Sequence, residues 1–291
     1  ADEYVRTDSE GPLSSVERLS KFDARGQQLF AVDITEQLTA DSSDNVIYNL
    51  ETDAQGHIYI AGERKVWLYD VQEGTEPTFR GEVEVCSAQD KSRVSYMGRG
   101  RDGKVYVSCG KEEGRVIKYS LMQIDFDSCR SSRVCEEFPG NGEVVPGMEK
   151  DFLVYDNREL YEYDLASQTR EPVLNWVESG IDTRGELYFG VLEDGRIYVA
   201  TREFQSDEWE LAVLSRATGE EQASEKEEIT LGYLYAGLEI QQAVVDFNKS
   251  SDRYRIVLKQ YEEYDRLLVD LTVNCPDILD LSGVNYRQLA A

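Results

Sequence analysis

The heptapeptide Arg101-Asp-Gly-Lys-Val-Tyr-Val107 decides how most of this chain folds. Its Asp-Gly pair favours a tight turn, because glycine adopts the left-handed backbone conformation at little cost. The Val, Tyr and Val that follow are residues typical of a half-buried β-strand. The same order of turn and strand occurs three more times, at Asp53-Ala-Gln-Gly-His-Ile-Tyr-Ile60, Glu149-Lys-Asp-Phe-Leu-Val-Tyr155 and Glu193-Asp-Gly-Arg-Ile-Tyr-Val199.

The interval between these copies is nearly constant. Tyr59, Tyr106, Val154 and Tyr198 occupy the equivalent strand position, and successive members are 47, 48 and 44 residues apart. A second apolar strand follows each copy, at 66–70, 116–120, 160–164 and 211–215. This period is typical of β-propeller blades, whose antiparallel sheets cover one another's faces. Residues 19–33 match only the outer half of a copy, so the sequence predicts four complete blades and one partial blade, in a ring of four or five blades.

The sequence pattern changes after residue 228. An apolar strand at 229–235 is followed by a helix-like stretch at 238–249, a second strand at 254–259 and the apolar segment Cys275-Pro-Asp-Ile-Leu-Asp-Leu281. Strands that alternate with helices predict a parallel sheet with crossover connections. We therefore predict a mainly β chain with two domains, a β-propeller over 1–228 and a short α/β segment over 229–291.

The charge of the chain restricts its partners. It carries 57 acidic and 31 basic residues, for a net charge of -26. Such a field repels phosphate backbones and anionic lipid headgroups, so we expect no nucleic acid partner. The sequence contains no run of 18 apolar residues, and we therefore expect no direct membrane insertion.

The five cysteines are an odd number and lack C-x-x-C spacing, which favours neither a zinc site nor a complete disulfide framework. Cys129 and Cys135 are near enough in sequence to close a small loop. A protein of this size does not need disulfides to fold, so we expect most of the cysteines to be buried free thiols.

The residue types needed for catalysis form no motif in this sequence. The single histidine, His57, stands where Lys104 and Arg196 stand in other copies, which indicates an exposed strand position rather than a general base. Carboxylates are so abundant that no catalytic pair can be chosen, and the Asp-Gly pairs are better explained as hairpin turns than as calcium loops. We therefore expect no catalytic residue, no metal and no cofactor.

The last 63 residues resemble a known family. The run Ala243-Val-Val-Asp-Phe-Asn-Lys249, the strand after it and Pro276-Asp-Ile-Leu-Asp-Leu281 are similar to the opening of bacterial extracellular solute-binding proteins of ABC importers, a class that often carries sugars. Some lipoproteins of Gram-positive gut bacteria resemble this arrangement, with a propeller before the binding module. The resemblance implies that 229–291 is the truncated first part of a periplasmic-binding-protein-like lobe, and that the chain is a fragment.

The same resemblance implies a binding site at the carboxyl ends of the parallel strands, where tyrosine rings would stack on sugar faces. The implied ligand-binding residues are Tyr235, Gly237, Tyr261, Tyr264, Ser282 and Asn285. A role for the tyrosines in packing, and for Ser282 in a plain turn, is an open alternative. The implied partners are a small-molecule solute or glycan and the membrane subunits of the importer. The implied location is the cell surface of a bacterium, with a lipid anchor in the full-length form.

These observations lead to one expected function and two alternatives. We expect a non-catalytic cell-surface binding protein, the N-terminal part of a solute-binding component of an ABC importer, with the propeller as an accessory recognition domain. The first alternative is a propeller enzyme that acts on extracellular carbohydrate or peptide. The second is a propeller that only docks another protein or a glycan through its ring face.

Overall fold

The computed structural model describes residues 17–39, 47–72, 75–89, 91–156, 158–202, 208–216, 226–234, 237–261 and 263–282. The first element pair is an antiparallel hairpin of β1 (Arg18–Phe22) and β2 (Gln28–Asp33), followed by the short helix α1 (Thr35–Thr39). In its turn, the carboxylate of Asp23 accepts the backbone N–H groups of Arg25 and Gln27 at 2.8 and 2.9 Å. This hairpin lies where the sequence predicts a partial blade.

Four antiparallel sheets follow, and their strands are hydrogen-bonded in chain order. The first sheet contains β3 (Asn49–Thr52), β4 (Ile58–Ala61), β5 (Lys65–Asp70) and β6 (Thr78–Glu84). The second contains β7 (Arg93–Arg99), β8 (Val105–Glu113), β9 (Val116–Asp125) and β10 (Arg130–Phe138). The third contains β11 (Val145–Pro146), β12 (Phe152–Tyr155), β13 (Glu159–Asp164) and β14 (Thr169–Asn175). The fourth contains β15 (Leu187–Val191), β16 (Ile197–Arg202) and β17 (Trp209–Leu214).

These sheets are the blades of a four-blade β-propeller arrangement, which confirms the predicted mainly β propeller fold. Tyr59, Tyr106, Val154 and Tyr198, which the sequence places in equivalent positions, lie in the second strand of each blade. The second apolar strand of each copy is the third strand of its blade, β5, β9, β13 or β17. The period of the sequence is therefore the period of the blades.

An aspartate fixes the turn before the second strand of the first two blades. In the first blade, Asp53 accepts the backbone N–H groups of Gln55 and His57 at 2.9 and 3.0 Å and the hydroxyl proton of Tyr59 at 3.0 Å. In the second blade, Asp102 accepts the N–H of Lys104 and the hydroxyl proton of Tyr106, each at 3.1 Å. In these two blades the recurring Asp and Tyr of the sequence therefore tie the turn to its strand.

His57 does not have the exposed position that its place in the repeat indicates. Its side chain is 23% exposed, and Nδ1 lies 2.7 Å from Oδ2 of Asp53. The ring stacks on Phe126 with centroids 3.7 Å apart and an interplanar angle of 7°. Both contacts come from residues outside the aligned position, so the repeat alone does not reveal them.

The first blade is buried on both faces, as a propeller requires. Alternate residues of β4 and β5 point in opposite directions. Ile58, Ile60, Trp67 and Tyr69 pack with Leu19, Ile34 and Leu38, and the residues between them pack with β7 and β8 through Val94, Met97, Val105 and Val107. Each face of this sheet is thus covered by a neighbouring element, which explains the nearly continuous apolar strands.

The cysteines differ from the prediction. Cys86 and Cys109 form a disulfide, whereas Cys129, Cys135 and Cys275 are free. Cys129 and Cys135 do not close the small loop that their spacing allows, and of the three free cysteines only Cys135 is buried, so the expectation that most are buried free thiols is wrong. The Sγ of Cys135 is instead buried at 3.4 Å from the hydroxyl oxygen of Tyr163.

The described part of the chain after residue 225 alternates strands and helices. Its elements are β18 (Glu227–Tyr233), α2 (Leu238–Ser250), β19 (Tyr254–Gln260), α3 (Tyr264–Val273) and β20 (Ile278–Leu279). The strands are parallel, in the order β19-β18-β20. The predicted likeness of this segment to a lobe of a periplasmic binding protein is not shown.

The chain divides into two compact units, residues 1–155 with 162–170 and residues 156–161 with 171–291, and the division passes through the third blade. The predicted boundary at residue 228 lies inside the second unit, and the two-domain assignment stays a prediction. In that unit, Val177 packs with Val244, Val245 and Ile256 of the α/β segment. No helix in the described ranges is long and apolar enough to cross a membrane.

Candidate active site

The residues predicted to bind a ligand follow the strands of the parallel sheet. Gly237 is the exposed N-cap of α2, and Ser282 is exposed after β20. Tyr261 is 2% exposed and packs with Leu234 and Leu267 beside the half-buried Tyr264, so these rings contribute to a core in this structure. Tyr235 and Asn285 lie outside the described residues. Ligand binding by these six residues stays a prediction.

The first unit contains a cluster of polar side chains apart from the predicted ligand-binding residues. This cluster lies at the first strands of three successive blades. The side-chain amide of Asn49 on β3 donates to the carbonyl of Met97 on β7 at 2.7 Å. Further along β7, a Cβ added at Gly98 would clash with the carbonyl of Val144, which directly precedes β11. The glycine therefore allows β7 to approach the start of β11 closely, and β7 lies between the other two first strands.

Glu51 is the carboxyl group on β3. One of its oxygens accepts the backbone N–H of Thr52 at 2.8 Å, and the side chain is half-buried. Burial raises the pKa of Glu51, although the positive charge of Arg99 on β7 acts in the opposite direction. Glu51 and Arg99 therefore face each other across two blades.

Glu143 is the corresponding carboxyl group before β11. Burial raises its pKa, and a hydrogen bond with the hydroxyl of Tyr155 offsets part of that effect. Burial and the negative charge of Glu143 in turn raise the pKa of Tyr155, which also hydrogen-bonds to the side chain of Asn141 and lies close enough to Tyr96 to be affected by its charge. Glu143 is thus part of a polar network.

A chain of neighbouring residues connects Glu51 to Glu143. Glu51 faces Arg99, Arg99 follows Gly98, and Gly98 packs against Val144, the neighbour of Glu143. The two carboxyl groups with raised pKa values therefore belong to the two blades whose first strands flank β7, and Arg99 lies beside Glu51. A carboxyl group whose pKa is raised by burial is better suited to donate a proton than an exposed one, and a carboxyl group beside a positive charge is better suited to accept one. We take Glu51, Arg99, Glu143 and Tyr155 as the candidate active site.

Sequence analysis missed this site because nothing distinguishes Glu51 and Glu143 from the other acidic residues of the chain. Both precede the recurring turn and strand, in the part of each blade where the four copies are least alike. Within the described ranges, no cluster of three or more His, Cys, Asp or Glu residues is arranged to hold a metal ion.

A polar cavity of about 290 Å³ lies at the end of the long β8–β9 hairpin, apart from these residues. Its lining includes Lys118, whose Nζ is 3.3 Å from Glu113 and 3.5 Å from Glu137. Hydrogen bonds and charge attraction from these glutamates raise the pKa of Lys118. These side chains are largely exposed, and both glutamates pair with the lysine, so the polar groups of this cavity are solvated and neutralise one another in part.

Comparison with known proteins gives matches to solved structures only. No protein-family model matches the chain, and no curated protein matches it. The periplasmic gluconolactonase PpgL of Pseudomonas aeruginosa is 12% identical with a TM-score of 0.38, over 75% of this chain and 69% of that chain. A luciferin-regenerating enzyme is 12% identical with a TM-score of 0.42, over 68% and 65% of the two chains. The Dos1 propeller is 10% identical with a TM-score of 0.35, over 70% and 55%.

This chain thus spans less than two thirds of the last two structures. The matches correct the expected function. A gluconolactonase and a luciferin-regenerating enzyme are among them. These matches contradict the prediction of a non-catalytic importer component and the prediction that the chain is not an enzyme. Identities of this size describe the fold alone, so the reaction and the substrate rest on the residues of this chain.

Proposed function

We propose that this protein is a propeller enzyme that hydrolyses carbohydrate outside the cytoplasm, by acid–base catalysis at the inner strands of its first three blades. One observation carries the proposal. Two half-buried carboxyl groups with raised pKa values lie on the elements that flank β7, Glu51 on β3 beside Arg99 and Glu143 before β11 beside Tyr155. Burial of two carboxyl groups at one place opposes stability, and such groups cluster at sites of proton transfer.

Glu143 and Glu51 have different surroundings, and we derive the role of each in catalysis from this difference. Glu143 hydrogen-bonds to the hydroxyl of Tyr155, and no cationic side chain contributes to its raised pKa. It is the general acid, which donates its proton to the leaving oxygen as the glycosidic C–O bond breaks. Glu51 faces the charge of Arg99, which favours its ionised form, and it is the general base that takes a proton from the attacking water.

The substrate class follows from charge and ring chemistry. With a net charge of -26, the protein repels polyanions, so a neutral saccharide approaches more readily than an acidic one. Tyr96, which is 38% exposed on β7, provides a ring on which a sugar can stack beside the network of Glu143 and Tyr155. A peptide is the competing substrate class.

A location outside the cytoplasm is supported by the disulfide between Cys86 and Cys109. Disulfides persist in secreted and periplasmic proteins and are rare in the reducing cytosol. We propose an extracellular or periplasmic location on this ground. Mass spectrometry of the protein from its native compartment, with and without reduction, tests it.

Turnover by site variants tests the proposed function. Wild-type protein is incubated with neutral oligosaccharides and polysaccharides, and new reducing ends are measured. We expect Glu143→Gln to lower kcat about 100-fold or more, because an amide cannot donate the proton, and Glu51→Gln to lower it as well. Glu112→Gln, at an exposed position of β8, is the matched control and keeps the wild-type rate. Full activity of Glu143→Gln, or cleavage of peptides without cleavage of any saccharide, would contradict the proposal.

A further inference from the structure

The fourth blade presents an apolar face that none of the described residues covers. Cross-strand pairing places Tyr188, Ala200 and Leu211 side by side, and Gly190, Tyr198 and Val213 in a neighbouring row. Trp209 lies at the end of the same face. These large side chains are exposed: Tyr188 by 54%, Tyr198 by 36%, Trp209 by 53%, Leu211 by 70% and Val213 by 47%.

The opposite face of the same sheet is buried in the ordinary way. Phe189, Ile197 and Val199, which alternate with the exposed residues, are at most 5% exposed. A sheet with one buried face usually carries polar residues on the other face, because water solvates them there. Here the outer face carries aromatic and aliphatic residues, and a contiguous exposed apolar patch of this kind marks a binding surface.

The aromatic rings are arranged as a platform. The rings of Tyr188 and Trp209 lie 5.8 Å apart between centroids with an interplanar angle of 33°. Tyr198 lies across Gly190, where a Cβ would clash with its ring, so the glycine lets the tyrosine lie along the sheet. We call Tyr188, Tyr198, Trp209, Leu211 and Val213 the aromatic platform.

Polar groups lie next to one end of the platform. Trp209 also lines a cavity of about 300 Å³ in the same unit, together with Thr201, Gln242, Asp246 and Lys249. These side chains include hydrogen-bond donors and acceptors, and the Nζ of Lys249 binds Glu210 at 2.6 Å. A ligand that crosses the edge strand β17 would therefore meet apolar rings and then polar groups.

The net charge of the protein and the exposed area of the aromatic platform indicate which kind of ligand this face binds. A second copy of this chain would bring another net charge of -26 to the surface, and the two copies would repel each other. Side chains of this size, about half exposed, present roughly 500 Å², which is less than the ~800 Å² per partner of a standard protein interface. A neutral oligosaccharide is not repelled, and it has apolar C–H faces for the rings and hydroxyl groups for the adjoining cavity.

We propose that the aromatic platform is a saccharide-binding surface for neutral glycan chains, separate from the candidate active site. The choice of carbohydrate rests on the proposed function, whereas the existence of a binding surface rests on the exposed rings. In this arrangement the platform holds a polymeric substrate near the enzyme and takes no part in the bond cleavage. Binding and turnover are therefore separable properties.

Affinity electrophoresis tests the surface with the full chain. Native gels that contain a neutral polysaccharide, namely laminarin, xylan, galactomannan or starch, are compared with gels that contain none. We expect retardation of the wild type in at least one polysaccharide gel, and an affinity reduced about tenfold or more by Trp209→Ala or Tyr188→Ala, since each removes a ring. Tyr48→Ala removes a ring that is 50% exposed in the other unit, and it serves as the matched control that binds like the wild type.

Two further readouts separate this proposal from the proposed function. Glu143→Gln is expected to bind the polysaccharide like the wild type while turnover is lost, and Trp209→Ala is expected to keep the wild-type rate on a short soluble saccharide. Absence of retardation in all four gels would overturn the surface proposal. So would a dimer of the wild type that Trp209→Ala dissociates in light scattering, because the platform would then be a protein interface.

Discussion

At the scale of single residues, burial of Glu51 and Glu143 has two consequences. It raises their pKa values, which suits them to acid–base catalysis, and it lowers the stability of the folded protein. Burial disfavours the charged form of a carboxyl group, so the folded protein has to hold these groups at a cost when the pH is neutral. Their hydrogen bonds, from the N–H of Thr52 to Glu51 and between Glu143 and the hydroxyl of Tyr155, reduce that cost without removing it. A half-buried carboxyl group at such a position is better explained by function than by packing.

The raised pKa of Glu51 predicts a pH-dependent effect of its replacement. A carboxyl group whose pKa is higher in the folded state contributes stability at low pH, and this contribution is lost as the pH rises through the folded-state pKa. We therefore expect Glu51→Gln to raise the melting temperature by about 2 °C at pH 7, and the difference to shrink toward pH 4. Thermal unfolding monitored by circular dichroism at both pH values measures it. A Tm gain that grows as the pH falls would contradict the prediction.

At the scale of elements, the approach of β7 to β11 positions the candidate active site. Arg99 ends β7 and Glu143 precedes β11, so the distance between these elements sets the distance between the two side chains. Gly98 makes the approach possible because its missing Cβ leaves room for the backbone at Val144. The glycine therefore matters for both stability and the active site.

Replacement of Gly98 tests this arrangement. A methyl group at this position meets backbone rather than a flexible side chain, and we expect Gly98→Ala to destabilise the protein by about 2 kcal/mol and to lower turnover. Gly237→Ala is the matched control, because nothing lies within 4 Å of a Cβ there and the backbone φ of -63° suits alanine. Urea unfolding of both variants gives the comparison. Equal stability of the two variants would show that β7 and β11 are not in close contact.

Sequence analysis succeeded where the element pattern is local. The turn and strand copies around Tyr59, Tyr106 and Tyr198 contain their own signal, because an Asx turn and alternating side chains act within a few residues. The helix α3 was not predicted, although Leu267 within it is fully buried, because it has only ten residues and its N-cap, Glu263, makes no side-chain capping hydrogen bond that would mark its start. The first strands β3 and β11 were equally difficult to predict, since they are short and their contacts come from other blades.

At the scale of the whole molecule, long-range contacts account for what the sequence did not predict. The disulfide between Cys86 and Cys109 joins the loop after the first blade to β8 of the second blade, whereas the sequence suggested Cys129 and Cys135 on proximity alone. Glu51 and Glu143 are 92 positions apart in the chain, and only the stacking of blades places them on the two elements that flank β7. The fold was therefore largely predictable, and the candidate active site was not.

We predict that removal of the disulfide between Cys86 and Cys109 lowers the stability of the first unit. The bond closes a loop with a sequence separation of 23, which corresponds to about 3 kcal/mol of stabilisation in the chain-entropy model. We expect a Cys86→Ala, Cys109→Ala double variant to unfold at lower urea concentration by this amount. Cys129→Ala, which removes a free cysteine, is the control and changes stability much less. Thiol titration of the unfolded wild type is expected to give three free thiols, and five would disprove the bond.

The most direct test of the propeller enzyme proposed here is a paired measurement on Glu143→Gln. Melting temperature at pH 7 and the rate of reducing-end release are determined on the same preparation, next to wild type and Glu112→Gln. A general acid held at a cost in stability predicts that Glu143→Gln melts at a higher temperature and loses at least about 99% of the turnover. A Glu143→Gln variant that is more stable and releases product at the wild-type rate would contradict the account.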